Sequence, residues 1–392
     1  MSRGGAQDRI NVRDGTVRIV RALPDALAAC CAASYADDCY EHPYYEFVQR
    51  CLSGQFDQYF LILEQRGGTA FVQPVFLVRQ SILGGLPESL RAGLGGLLQR
   101  WARPLCEVKL LMVGCSTGEG CLAGGSADHP AVVGMLRESL PEVARRLGGS
   151  LVVLKDFPVE YRPVLRSLEA SGYTRIPSYP ACSLALTYRD FDEYMEKALT
   201  HQTRKDLRRK FRDAERLGGF SMELVDDLAP IVEEVHTLYR QVLERSAFRF
   251  EELTKEYLAG LAGALCGHGR FFVWRDSREK CVAVSICIAD GTTLRDCYVC
   301  LDYDVALKAH LYFVTFRDVI TWALENGLRE YRSGALSYAP KRHLRMSLEP
   351  LDLYVLHTSP VLNLFFRLLA PVLEPTRYDP ILREFPEYAD LR

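Results

Sequence analysis

Just past the apolar run Leu294–Leu301, the chain gathers side chains suited to moving protons. Asp302, Asp304 and His310 are candidate acceptors, and Tyr298, Tyr303 and Tyr338 are candidate donors. Each also has a plainer role. Asp302 or Asp304 would cap the helix that follows, and His310, one turn into that helix, would be a structural histidine. His310 ranks first among the histidines because it lies nearer this edge than His236, His268 or His357.

A second chemistry is anion binding. The stretch HQTRKDLRRKFRDAERLGG, from His201 to Gly219, places Leu207, Phe211, Ala214 and Leu217 on one helical stripe. Arg204, Lys205, Arg208, Arg209, Arg212 and Arg216 take the remaining faces, which reads as a polyanion cradle or as a solvated face. Gly114–Gly120, GCSTGEG, follows an apolar strand and is either an anion loop or a tight turn. The chain has no HExxH, no GxGxxG after a strand and no GxSxG, which argues against zinc, hydride-transfer and serine-hydrolase chemistry.

The elements that must position these groups follow from periodicity. Leu294–Leu301 is a buried strand, Val305–Glu325 a helix with one apolar face, and Leu328–Arg332 a second strand after the Asn326-Gly327 stop. A strand, helix, strand unit is a crossover, and ligands of such sheets sit beyond the carboxyl ends of the strands. Here that edge carries Tyr303, Asp304, Lys308 and His310. Upstream lie helices at Ala229–Arg245 and Glu251–Leu265 and antiparallel strands at Phe271–Arg275 and Cys281–Asp290.

The first half has the same order of elements: strand Thr16–Arg21, helix Ala22–Tyr35, a loop at His42-Pro43, and a hairpin of Tyr59–Gln65 and Thr69–Arg79. Strand Val108–Val113, helix Pro130–Leu147, strand Leu151–Lys155, helix Arg162–Ser171 and strand Ala181–Leu186 complete it. A capping box at Asp190–Glu193 opens a new domain. The boundaries expected are 1–189, 190–358 with a closing strand at Leu351–His357, and a tail 359–392.

With 392 residues, 48 % of them hydrophobic, the chain can build two packed domains. Its 48 basic and 50 acidic residues leave no global pull toward nucleic acid. The 13 cysteines are scattered without a metal-site spacing and read as reduced cytoplasmic thiols. No apolar run is long enough to span a bilayer, yet Ile82–Pro104 and Ser359–Pro375 are apolar enough to lie in an interface or to dock on the core.

With the tail YRSGALSYAPK included, Leu294–Lys341 resembles the second half of a GNAT-type acyltransferase domain, in the branch near the Fem-type peptidoglycan aminoacyltransferases. In that branch a Tyr and a Lys follow a glycine after the last crossover strand, and Gly334, Tyr338 and Lys341 stand in those places. The resemblance covers Phe191–Pro350 well and the earlier half by layout. It implies an α/β fold of two tandem GNAT-like domains, each a mixed sheet flanked by helices, with the second domain catalytic. The acyl thioester would lie between the splayed strands Leu294–Leu301 and Leu328–Arg332, whose backbone N–H groups meet the developing oxyanion.

The expected catalytic residues are His310, Asp304, Tyr338 and Lys341, and the expected donor-binding residues are Lys308, Arg204, Arg208 and Tyr303. Acyl-CoA would be the co-substrate, with no metal, and a long-chain or lipid amine the acceptor, with the protein peripheral on the inner face of the membrane. The chain departs from the GNAT pattern at Asp304–His310, where glycines usually open the crossover helix. That departure keeps two other readings open: a Fem-like enzyme using aminoacyl-tRNA gripped by the basic helix, and an inactive fold acting as a binding module.

Overall fold

In the computed structural model the residues described are 9–24, 27, 42–81, 107–246 and 249–392. The predicted segment Ile82–Pro104 and most of the predicted helix Ala22–Tyr35 lie outside them. The chain folds into two units: one runs to Tyr179 and resumes at Pro350, and the other is Pro180–Glu349.

The first unit contains β1 (Arg9–Val12), β2 (Gly15–Val20), α1 (His42–Cys51), β3 (Asp57–Gln65), β4 (Ala70–Ser81), β5 (Glu107–Val113), α2 (His129–Leu147), β6 (Leu151–Pro158), α3 (Arg162–Glu169) and β7 (Thr174–Pro177). The second contains β8 (Ala181–Ala185), α4 (Phe191–Ala198), α5 (His201–Arg216), β9 (Ser221–Val225), α6 (Val232–Arg245), α7 (Lys255–Ala264), β10 (Gly269–Arg275), β11 (Cys281–Asp290) and β12 (Thr293–Leu301). It continues through α8 (Tyr303–Ala306), α9 (Leu311–Glu325), β13 (Glu330–Ser333), α10 (Tyr338–His343) and β14 (Ser347–Glu349). β15 (Leu351–His357) and α11 (Pro360–Leu373) return to the first unit.

Both sheets are mixed and flanked by helices. The first has the order β1-β2-β3-β4-β5-β6-β15-β7, and the second β14-β8-β13-β12-β11-β10-β9. Each is antiparallel except for one parallel pair, β5 with β6 and β12 with β13. β11, CVAVSICI, is buried along almost its whole length, so it carries a continuous apolar run instead of an alternating one.

The expected boundaries differ from these units by two strands. Sequence places Ala181–Leu186 in the first domain and Leu351–His357 in the second, whereas pairing exchanges them. β8 is seated between β14 and β13 of the second sheet, and β15 between β6 and β7 of the first. β15 is pinned there by Asp352, which is almost fully buried and accepts from Arg162 Nε at 2.6 Å and Arg175 Nη1 at 2.8 Å.

The capping box forms with a shift of one residue: Asp190 accepts from the Glu193 N–H at 2.8 Å, while the Glu193 carboxylate takes the N–H of Arg189 instead of Asp190. The predicted crossover helix is broken. Residues 307–310 form turns between α8 and α9, and Leu307, expected on the apolar face, is 73 % exposed.

Candidate active site

β12 and β13 pair in register from Thr293↔Glu330 to Asp296↔Ser333, and there β13 stops while β12 runs on to Leu301. A bulge where β12 crosses Ile286 and Cys287 of β11 falls at the same point and re-aims the residues beyond it. Past Asp296 the β13-facing edge of β12 has no strand partner among the described residues, so its backbone N–H groups point into the gap. The chain leaving β13 passes Gly334 and then holds Leu336 and Ser337 both in the left-handed region, φ 71° and 51°. Non-glycine residues pay strain for that conformation, and such strain clusters at functional sites. Its effect is to seat α10 with Tyr338 and Lys341 buried.

Lys341 donates through Nζ to the carbonyl of Gly334, and Tyr338 donates to the carbonyl of Pro180 at 2.9 Å. Behind them lies Asp296, which accepts from Tyr331 Oη and Ser285 Oγ, each at 2.7 Å. Burial raises the Asp296 carboxyl above the usual range, an effect its two hydroxyl partners and the Lys341 charge partly offset. Burial pushes the Lys341 ammonium down, opposed by the attraction of Cys182 and Asp296. The result is a buried acid and a buried base whose proton affinities are moved toward each other at the point where two parallel strands part. Asp296 was missed from sequence, because the run Leu294–Leu301 reads as an apolar strand. The available signal was the lone carboxylate inside that run.

The other expected site residues occupy the turn after β12. Asp302 is a buried cap, accepting from the Asp304 N–H at 3.0 Å and from Lys280 Nζ at 2.6 Å, so the plainer of its two readings holds. Asp304 and Lys308 are exposed. Tyr303 is half-buried beneath the Arg245 guanidinium, 4.2 Å from its ring centre. His310 is not one turn into a helix but at the cap of α9, with φ 52° and Nε2 3.9 Å from Asp213 Oδ2. Burial, with Lys210 and Arg209 nearby, lowers its pKa below the ordinary histidine value. Tyr338 and Lys341 are brought together, the Lys341 Nζ lying 5.8 Å from the Tyr338 ring centre, while Tyr303 and Asp304 lie in α8, Lys308 in the turn after it and His310 at the cap of α9.

The basic helix α5 is partly neutralised by its own acids. Arg209 meets Asp206 at 2.7 Å and Asp213 at 3.1 Å, and Lys210 meets Asp206 at 2.6 Å. Arg204 donates to the carbonyls of Met195, Glu196 and Leu199, at 3.4, 3.0 and 2.9 Å, and so closes the carboxyl end of α4. Lys205, Arg208 and Arg212 remain exposed.

The equivalent gap in the first unit is filled. β5 and β6 pair from Leu110↔Leu151 to Val113↔Leu154, and the loop Gly114–Gly120 then lies along the rest of β6. Gly120 N–H donates to Asp156 O at 2.9 Å and Lys155 Nζ to Gly118 O at 2.9 Å, with Ser116 and Thr117 buried. A Cβ on Gly120 would stand 2.3 Å from Lys155 O, so only glycine allows the approach. This is the tight-turn reading of the loop.

Two mixed sheets, with a parallel pair that parts over a buried polar cluster, define an acyl-transfer fold of the GNAT class. Residues 201–342, all within the second unit, match the family model described as acetyltransferase (GNAT) domain. Among solved structures it is similar to FemX, at 11 % identity over 90 % of this chain and 100 % of that one, with a TM-score of 0.54. It is also similar to the C-terminal domain of an Agrobacterium fabrum protein described as a lysylphosphatidylglycerol synthetase, at 14 % identity, 89 % and 98 % coverage and a TM-score of 0.52. L-PGS from Bacillus licheniformis matches at 12 % identity, 84 % and 95 % coverage and a TM-score of 0.50. At these identities the likeness is one of fold. No curated protein matches the chain.

Proposed function

We propose that the second unit transfers an acyl group from a thioester to an amine at the parting of β12 and β13, and that the acceptor is a long-chain or lipid amine. The observation that carries this reading is the buried Lys341 ammonium beside Gly334, where the parallel pair ends. In the reaction the amine nitrogen bonds to the carbonyl carbon and the carbonyl oxygen takes up negative charge, met by N–H groups on the open edge of β12. The C–S bond breaks, Lys341 gives a proton to the departing sulfur, and it regains one from the attacking nitrogen. Asp296 is a positioning residue whose charge holds Lys341 in its donor form. Tyr338 anchors α10 through Pro180.

The donor's phosphates meet a different setting from the usual one. The Asp304 N–H at the start of the short α8 is already taken by the Asp302 carboxylate, which leaves the start of α9, without a side-chain cap at His310, to meet the phosphates of acyl-CoA. The exposed Lys205, Arg208 and Arg212 on α5 favour aminoacyl-tRNA as the second reading of the donor. Acyl-CoAs of increasing chain length, mixed with a panel of amines, should release free thiol, and Lys341→Met should lower that rate by about two to four orders of magnitude. Thiol release that persists within tenfold in a folded Lys341→Met protein would exclude this mechanism. Activity with aminoacyl-tRNA alone would select the second reading.

A further inference from the structure

α11 presents its apolar face outward. Placing its residues at about 100° per residue sets Val361, Leu362, Leu364, Phe365, Leu368, Leu369 and Val372 within one arc of about 160°, and each of these seven is half exposed or more. The opposite side docks on the sheet through Asn363 and Ala370, the buried members of the helix. Asn363 is fixed there by its amide donating to Gly172 O at 2.9 Å and its Oδ1 accepting from the His357 N–H at 2.9 Å. Amphipathicity is thus reversed: a polar and a small residue are the buried ones, and seven of the nine large apolar side chains face away, Phe366 and Leu373 being partly exposed. Seven such side chains expose an area on the order of 700 Å², above the few hundred that the largest patch of a soluble monomer usually reaches.

We propose that this face seats the protein on a lipid bilayer, lying in the interface without crossing it. Two observations favour lipid over a second copy of the chain. The arc is wider than the side that a single partner helix covers, whereas acyl chains wrap a convex surface. The helix also carries one charge, Arg367, about 60° outside the arc on the flank between it and the docked side, and no acidic residue. In a two-fold pairing through this helix Arg367 would meet no carboxylate from its copy, whereas at a bilayer it lies at the depth of headgroup phosphates. No described helix is long and apolar enough to cross a membrane. The inference stands whether or not the reaction proposed above is correct, since it is read without turnover.

The full chain is mixed with sedimenting vesicles of phosphatidylcholine, with and without phosphatidylglycerol, and oligomeric state and Tm are recorded in parallel. We expect binding to both, stronger with phosphatidylglycerol. Leu364→Ser/Phe365→Ser/Leu368→Ser should weaken it at least tenfold at unchanged Tm, and Arg367→Gln should reduce only the phosphatidylglycerol increment. Three outcomes overturn the proposal: no binding to either vesicle, a triple variant that turns a dimer into a monomer, or one that stays monomeric but loses Tm because another part of the chain covers the helix.

Discussion

At the scale of single residues, His310 and Lys341, two of the four expected catalytic groups, separate on conformation. His310 holds a left-handed backbone that costs a non-glycine residue on the order of 1–2 kcal/mol, so its side chain competes with a purely structural account. His310→Gly should fold at least as well as His310→Ala. If both lose activity equally the imidazole is chemical, and if only the alanine variant suffers, the position is conformational. Lys341 carries a pH signature instead. Its lowered pKa means that an ammonium donor is lost as pH rises through a value below the ordinary lysine range, so the alkaline limb of kcat/KM should fall early and be absent in Lys341→Arg. Asp206 gives the opposite limb for stability. Despite partial burial, hydrogen bonds from Lys210 and Arg209 hold its carboxyl at about 2. A folded value below the unfolded one contributes stability that is complete above about pH 4 and is lost as pH falls toward 2. Asp206→Asn should flatten acid unfolding across that window, as followed by circular dichroism.

At the scale of elements, the strand exchange rests on Asp352. Removing the carboxylate would leave Arg162 and Arg175 facing a nearly buried gap, so Asp352→Ala should cost about 3–5 kcal/mol in denaturant unfolding of the first unit. What was legible at this scale was local. The capping box at Asp190, the basic helix with Leu207, Phe211 and Ala214 of its apolar stripe, though not Leu217, which caps the helix and is 55 % exposed, and the strands on either side of the crossover follow from spacing that the chain itself carries. The exchange was not legible, because Ala181–Ala185 and Leu351–His357 satisfy the same apolar pattern whichever sheet they join. Nor was the break before α9, since VALKAH has no glycine or proline to interrupt a helix and only the tertiary setting turns His310 left-handed. Asp296 and the filled gap at Gly120 likewise depend on partners far away in sequence.

At the scale of the whole molecule, the two units share an order of elements but differ at the place where their parallel strands part. In the first the gap holds the chain's own loop, and in the second it opens over Lys341 and Asp296. Activity should therefore follow changes in the second unit. Gly120→Ala is expected to lower the Tm of the first unit, as overpacking by about 1–3 kcal/mol would, while leaving the rate per folded molecule near that of the unaltered protein. A comparable loss of rate from Gly120→Ala and Lys341→Met would place the reaction elsewhere.

The exchanged strands also set a timetable for the nascent chain. β7 is made directly after β6, yet in the finished sheet β15 stands between them, and β15 leaves the ribosome only after all of Pro180–Glu349 has been synthesised. The segment that begins second can therefore close its sheet first, since β8 to β14 are all in hand by Glu349. Until β15 arrives, β6 and β7 expose edges that invite mispairing with each other. A chain truncated after Glu349 and released should show a protease-resistant fragment starting near Pro180 while residues before Tyr179 remain cleavable, and extension past His357 should protect both.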